Sequence, residues 1–456
     1  MDAKRYLPVL FVLLAAAFWQ IRDSEALPSF ARKYRTSCQT CHTAYPKLNP
    51  FGVAFRMNGY QWPGPIAEEE GHTKEEPVNL GAPAYKKVFP NAVWPGGIPG
   101  FPPVAFHAKT GFTWTDFADS SVATFNRPSL ELLLAGTLGE QVSFFVGGDL
   151  FEDGSVKNAE LERFYLQLDN VGGGALPRHL LYLKIGEFIP ELTTYAIDRT
   201  QLTQTPFAFS TYSPVFGESI AGGGEDADAS KPARGALRAA AAGPALSGPA
   251  FGLEDSRLGV QASGMVRGRF RYVLGLVNDG TGEASTGAKD TFGRLSYKWG
   301  GMAYDGSGGS GSTRNWAERS VALGVFGYRG VALNPEAVGP RELDVRRAGA
   351  DVNAYWDRLN LLAGYLHGRD ELLEGSAVRK VSLDTWYAES DVVIYPWLLG
   401  IVRYEQAKAD GFDIARRVVP NLTVLYRANV KFQAEAPLDP DDLELDTVLI
   451  DMDFAF

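Results

Sequence analysis

The chain of 456 residues carries 44 Lys and Arg against 54 Asp and Glu, a formal charge of −10 that argues against nucleic-acid binding through a basic face. Its 50 glycines, 27 phenylalanines and 19 tyrosines suit tight turns and aromatic-rich strands better than a helical core. At this length two or three ordinary domains, or one large barrel, are open.

The first predicted element is an export signal over 1–26. Met1 to Arg5 is short and basic, Leu7 to Trp19 is apolar, and Ser24-Glu25-Ala26 reads as a small-x-small cleavage site, so the mature chain is expected from Leu27. Neither this run nor any later one reaches the roughly 18 apolar residues that a membrane helix needs.

Next comes Cys38-Gln39-Thr40-Cys41-His42. C-x-x-C-H is the attachment signature of a c-type haem. On one helical turn the two thiols and the imidazole share a face. Cys38 and Cys41 would then hold one haem c covalently, and His42 would supply the proximal axial nitrogen. Structural zinc would be short of ligands here, and a thioredoxin-type dithiol would lack its βαβ surroundings. A plain disulfide stays open beside the haem reading. A short helix is predicted from Leu48 to Asn58, before Gly59, and the small α-helical haem unit is expected to span 27–65.

A Pro- and Gly-rich stretch follows over 66–103, acidic at Glu68, Glu69, Glu70, Glu75 and Glu76, with no sustained period. It reads as a linker or lumen-filling segment. From Val104 to the end, apolar and polar residues alternate between Gly, Asp, Asn and Pro clusters. Strands are predicted near 104–117, 128–138, 141–152, 160–169, 180–188, 256–265, 268–278 and 289–299. A second set is predicted near 318–328, 344–356, 359–368, 379–394, 397–407, 412–418, 421–433 and 443–456. Sixteen strands over 104–456 predict an antiparallel outer-membrane β-barrel, its tight turns at Leu138–Gln141, Trp356–Leu359, Tyr395–Trp397 and Pro420–Asn421 facing the periplasm. The fold class is thus mainly β. The connection 299–318 falls on the tight-turn side despite its length, and 189–256 suits a pore-folding loop, an extracellular cap or a disordered excursion.

Pro28-Ser29-Phe30-Ala31-Arg32, the Cys38–His42 run, Pro46, Leu48, Phe51-Gly52, Phe55 and Gly59-Tyr60 together resemble the N-terminal cytochrome of fused outer-membrane monohaem cytochrome-porins, among them the iron-oxidation proteins of iron-oxidising bacteria. The segments 33–36 and 41–45 are closer to a neighbouring subgroup. The resemblance implies one covalent haem in the barrel lumen or at its periplasmic side. It also implies electron transfer between an extracellular donor such as Fe(II) and a periplasmic cytochrome or other carrier, with outer-membrane lipid around the barrel.

Met57 is the candidate sixth ligand, because a thioether raises the potential of the iron. Packing beside Phe55 explains the same methionine, and His72 and His107 are alternatives. Acidic groups at Asp149, Glu152 and Asp153, and at Asp439, Asp441, Asp442 and Glu444, could gather a cationic donor, though plain solvation of loops accounts for them too. The competing functions are an outward electron conduit and a solute-transporting porin whose haem is structural or sensing. No constellation for hydrolytic catalysis stands out.

Overall fold

The computed structural model describes residues 29–34, 36–63, 78–79, 97–98, 103–117, 120–138, 141–151, 162–194, 202–205, 207–211, 251–279, 287–309, 314–333, 342–374, 376–412 and 414–456. The expected signal at 1–26 and most of the expected linker lie outside them, as do His72, Glu152 and Asp153.

Alternation with period 2 commits the chain beyond Pro103 to strands. In order they are β1 Val104–Phe117, β2 Ser120–Leu138, β3 Val142–Phe151, β4 Arg163–Leu168, β5 Tyr182–Phe188, β6 Arg257–Val266, β7 Phe270–Asn278 and β8 Lys289–Gly300. There follow β9 Glu318–Leu333, β10 Glu342–Asp357, β11 Leu359–Glu374, β12 Ala377–Tyr395, β13 Leu398–Ala409, β14 Ala415–Arg427, β15 Val430–Glu435 and β16 Thr447–Ala455. Each pairs antiparallel with its neighbours, and β16 returns to β1 with Ala455 opposite His107, closing a sixteen-stranded barrel. Phe456 N donates to Phe106 O at 2.9 Å, Phe106 N to Phe456 O at 2.7 Å, and the two rings stack at 5.2 Å. Closure leaves no edge strand, since every strand pairs on both sides.

The barrel is inside out relative to a soluble sandwich. Lys184, Arg271, Arg294, Glu389, Arg403, Glu405 and Lys431 are buried in the lumen, while Leu274, Leu323, Val325, Trp356 and Val402 are exposed outward. Strands that turn apolar residues out and charges in belong in a membrane. On β12 the outward face runs from Trp386 to Tyr395. At about 3.4 Å per residue and a tilt near 40°, that rises roughly 23 Å, the height of an outer-membrane apolar band.

Two prolines divide strands differently from the sequence expectation. The turn expected at Pro420–Asn421 does not exist: Pro420 lies within β14, and the turn is Ala428–Asn429. Pro420 O accepts from Ala436 N at 3.2 Å and pairing continues beyond it, Val418 and Leu438 exchanging both backbone bonds, so the proline costs this side of β14 only the one bond that it cannot donate. Likewise β2 starts at Ser120, not 128. Pro128 falls where the β1–β2 register shifts between Lys109 and Gly111, an irregularity that tolerates a residue with no donor.

At one end the connections after β2, β6, β10, β12 and β14 are tight turns, while the opposite end carries 152–162, 189–256, 279–288 and 436–446. By the rule of short periplasmic turns, the first is the turn end and the second the loop end. The long connection 301–317 belongs to the turn end, as expected, and it folds back onto the N-terminal segment.

That segment sits inside the barrel. It contains α1 Ser29–Lys33, a 3₁₀ turn at Cys38–Thr40, a small ribbon pairing His42–Ala44 with Lys47–Leu48, and α2 Pro50–Met57. Only these short helices are present before the barrel, among the described residues. Asn49 starts α2, its Oδ1 accepting from Gly52 N at 2.9 Å with Pro50 at the first turn. The described parts of 189–211 and 251–255 also reach inward. Glu191 pairs with Lys184 and Arg271, and Glu435 accepts from Thr205.

Candidate functional site

Cys38, Cys41 and His42 lie together at the turn-end mouth of the lumen. They do not share one α-helical turn: the 3₁₀ turn ends at Cys41, and His42 opens the ribbon. Gln39 Nε2 donates to Pro396 O of the β12–β13 turn at 3.5 Å. Asn315, from 301–317, donates to Gln39 O at 2.5 Å and to His42 O at 3.1 Å. Asn49 holds the same segment from behind, its amide reaching Gln39 O at 3.1 Å and Thr40 O at 3.0 Å.

His42 Nδ1 lies 3.0 Å from Pro46 O. A carbonyl only accepts, so Nδ1 carries the proton and Nε2 carries the lone pair that a metal takes. No disulfide joins Cys38 and Cys41. Burial pushes the Cys38 thiol up to about 11, and burial with the neighbouring Cys38 pushes Cys41 up to about 12. A dithiol exchanger needs an accessible low-pKa thiolate, and these are the reverse. Among the described residues no group of three or more His, Cys, Asp or Glu is gathered to hold a metal ion. Two thiols, one imidazole in the right tautomer and an aromatic surround fit a covalently attached haem c. The surround is close-packed: Phe30 meets Phe55 at 5.0 Å and Tyr60 at 5.1 Å, Tyr34 meets Trp62 at 5.4 Å, and Phe51 meets Trp62 at 4.8 Å.

Met57 packs with Val53 against Tyr182, Met265 and Tyr304, a different packing group from the one around Cys41. His107 stands on β1 with Nδ1 3.3 Å from Glu131, and its ring edges onto Tyr45 at 4.9 Å; Tyr45 in turn lies 5.3 Å from His42. Asp439, Asp441, Asp442 and Glu444 lie at the loop end, where Asp439 and Asp442 accept from the backbone of Asp441 and Glu444.

The seat of the segment uses residues that sequence spacing gave no reason to single out. Lys47 Nζ pairs with Asp391 of β12 and lies 4.0 Å from Glu389. Burial lowers its ammonium to about 8, against the pull of Glu389. Tyr60 meets Tyr165 hydroxyl to hydroxyl at 2.9 Å, and Asn58 donates to Tyr304 O at 3.1 Å. Between α2 and the wall is a cavity of about 110 Å³, lined by Lys47, Arg56, Lys184, Arg271, Arg294 and Lys298 among others.

Gly59 has φ +67°, and a Cβ there would lie 2.3 Å from Asp169 Oδ1. Burial raises the Asp169 carboxyl to about 6, partly countered by Gln167 and Ser143. The folded chain therefore keeps this proton up to about pH 6 and the unfolded chain only to about 4, so stability falls as pH rises between those values and stays lower above. Asp169→Asn should remove that slope and stabilise the protein at pH 7 by on the order of 2 kcal/mol. Urea unfolding in micelles at pH 4.5 and 7 checks this; an unchanged slope in the variant would refute it.

With the geometry in place, comparison with solved structures is informative. An anion-selective porin from Comamonas acidovorans superposes with a TM-score of 0.51 at 10% identity, covering 77% of this chain and 98% of that one. The OmpF of Salmonella typhi, solved with daunomycin, gives 0.50 at 9% identity, covering 77% and 97%. The barrel has the fold of outer-membrane porins. No family model and no curated protein matches the chain.

Proposed function

We propose that the chain is an outer-membrane barrel that passes electrons between an extracellular donor such as Fe(II), the donor that the family resemblance implies, and a periplasmic carrier through one haem c on Cys38, Cys41 and His42. The observation that carries this reading is the seating of a C-x-x-C-H segment at the turn-end mouth, with His42 Nδ1 fixed on Pro46 O. Haem c, when attached, supplies a one-electron iron couple. The chain's own residues do the rest. Asn49 and Asn315 fix the motif's backbone, Lys47 and Tyr60 pin it to the wall, and the aromatic rings around Cys41 keep water out. Cys41 packs against a single apolar cluster that continues through Tyr165, Phe209 and Tyr387 to Ala409 and Ala415, beside the loop end. Anoxic mixing of Fe(II) with the purified, oxidised full chain should convert the haem band to its reduced form within minutes. A band that stays oxidised sinks the iron reading.

The porin-type fold favours a second reading, a solute-conducting channel with a structural haem. Planar-bilayer conductance comparable with ordinary porins would support it over the first.

A further inference from the structure

The two ends of the barrel differ in their exposed carboxylates: the loop end mixes them with exposed cations such as Lys289, Lys380, Lys408 and Arg416, whereas the turn end exposes cations alone among the described residues. At the turn end, Arg178, Arg267, Arg314, Arg319, Arg358 and Arg427 are exposed, and among the described residues no Asp or Glu there is exposed. Asp357 is engaged by Arg314 at 3.1 Å, and Asp305 accepts from Ser307 N at 2.9 Å. Every exposed Asp and Glu among the described residues, from Asp116 and Glu162 to Glu444, lies at the loop end. In a chain of charge −10, a cationic rim is a local arrangement and not a consequence of composition.

Two of the cations, Arg314 and Arg358, stand beside the connections that hold the motif. Arg314 precedes Asn315, which holds Gln39 and His42 by their carbonyls. Arg358 donates to Ile394 O at 2.9 Å, two residues before Pro396, whose carbonyl receives Gln39. Arg178 and Arg267 sit in connections beyond the strand ends. Arg319 is different: it lies 5.3 Å over Trp356, in the position of a girdle residue that meets lipid headgroups.

We infer that the turn-end rim formed by Arg178, Arg267, Arg314 and Arg358 is a docking surface for a soluble periplasmic protein with an acidic face, steered onto the mouth that holds Cys38 to His42. The inference rests on the proposed outer-membrane orientation, and it names the chemistry of the carrier. Opposite charge at a rim raises encounter rates and makes them salt-dependent.

The test uses the full chain in phosphatidylcholine nanodiscs, with an acidic blue-copper protein as probe and a basic c-type cytochrome of similar size as control. The acidic probe should bind at least about ten-fold more tightly than the control, and binding should weaken about ten-fold from low to 300 mM salt. Combined Arg178→Ser, Arg267→Ser, Arg314→Ser and Arg358→Ser should cut acidic-probe binding about ten-fold, with the barrel's heat-modifiable gel shift retained. Equal binding of both probes, or binding indifferent to the substitutions, would overturn the inference. So would a variant that only loses co-purified anionic phospholipid, which would make the rim a lipid site. Binding is read without haem reduction, so failure of the Fe(II) experiment leaves this result standing, and the reverse.

Discussion

Gly52→Ala should unseat α2 from the Cys38–His42 segment while leaving the barrel closed. A Cβ on Gly52 would lie 2.0 Å from Cys41 O and 2.9 Å from Leu48 Cδ2. The first contact is with backbone, and that backbone is already held by Asn49 N donating to Cys41 O at 2.9 Å, so no side chain can swing aside to relieve it. Overpacking of a well-packed site costs about 1–3 kcal/mol, and a backbone clash this short belongs at or above the top of that range. The damage is confined to the plug because Gly52 makes no strand pairing. Limited proteolysis of the reconstituted protein should cut Ala-variant chains between α1 and α2 at least ten-fold faster than wild type, with an unchanged gel shift for the folded barrel. A wild-type cleavage pattern would show that α2 does not pack on the motif as described.

Lys47→Met should be the most damaging single change at the plug–wall contact. Lys47 and Asp391 are both buried, and removal of the ammonium leaves a carboxylate in the lumen with Glu389 beside it. Breaking one side of a buried pair costs about 3–5 kcal/mol. The pair itself is less valuable than that figure suggests, because burial already pulls Lys47 down to about 8 despite Glu389 nearby. Desolvation outweighs attraction here, so Lys47→Met with Asp391→Asn should recover most of the loss. Urea unfolding of the two single variants and the double variant measures the coupling; purely additive losses would contradict the contact.

The strands were legible because a membrane barrel keeps period 2 along nearly every segment, whichever face is apolar. Even the misplaced turn at Pro420 preserved the two faces. The true turn at Ala428–Asn429 has two residues, which alone would reverse the phase, but the register shift between Leu425 and Arg427 restores it, so Leu422 and Val424 stay in phase with Val430 and Phe432. Strand ends near Pro128 and Pro420 were not legible, since both prolines are tolerated by what the neighbouring strand does, which local sequence does not encode. At the site, C-x-x-C-H and the α2 cap could be read directly. The contacts that seat them could not: Asn315 with His42, Lys47 with Asp391 and Tyr60 with Tyr165 join residues 105 to 344 positions apart. Nothing in the local pattern of 301–317 distinguishes a brace from an ordinary loop. Its length on the tight-turn side was the one sign that it had further work to do.

The central claim is a covalent haem on this plug. Intact mass of the denatured full chain, produced in cells that mature c-type cytochromes, tests it most directly. The expected result is a gain of one haem per chain, with a peroxidase stain that survives denaturation and is lost in the Cys38→Ala, Cys41→Ala variant. A chain of unmodified mass, or one carrying only a Cys38–Cys41 disulfide, would contradict the account.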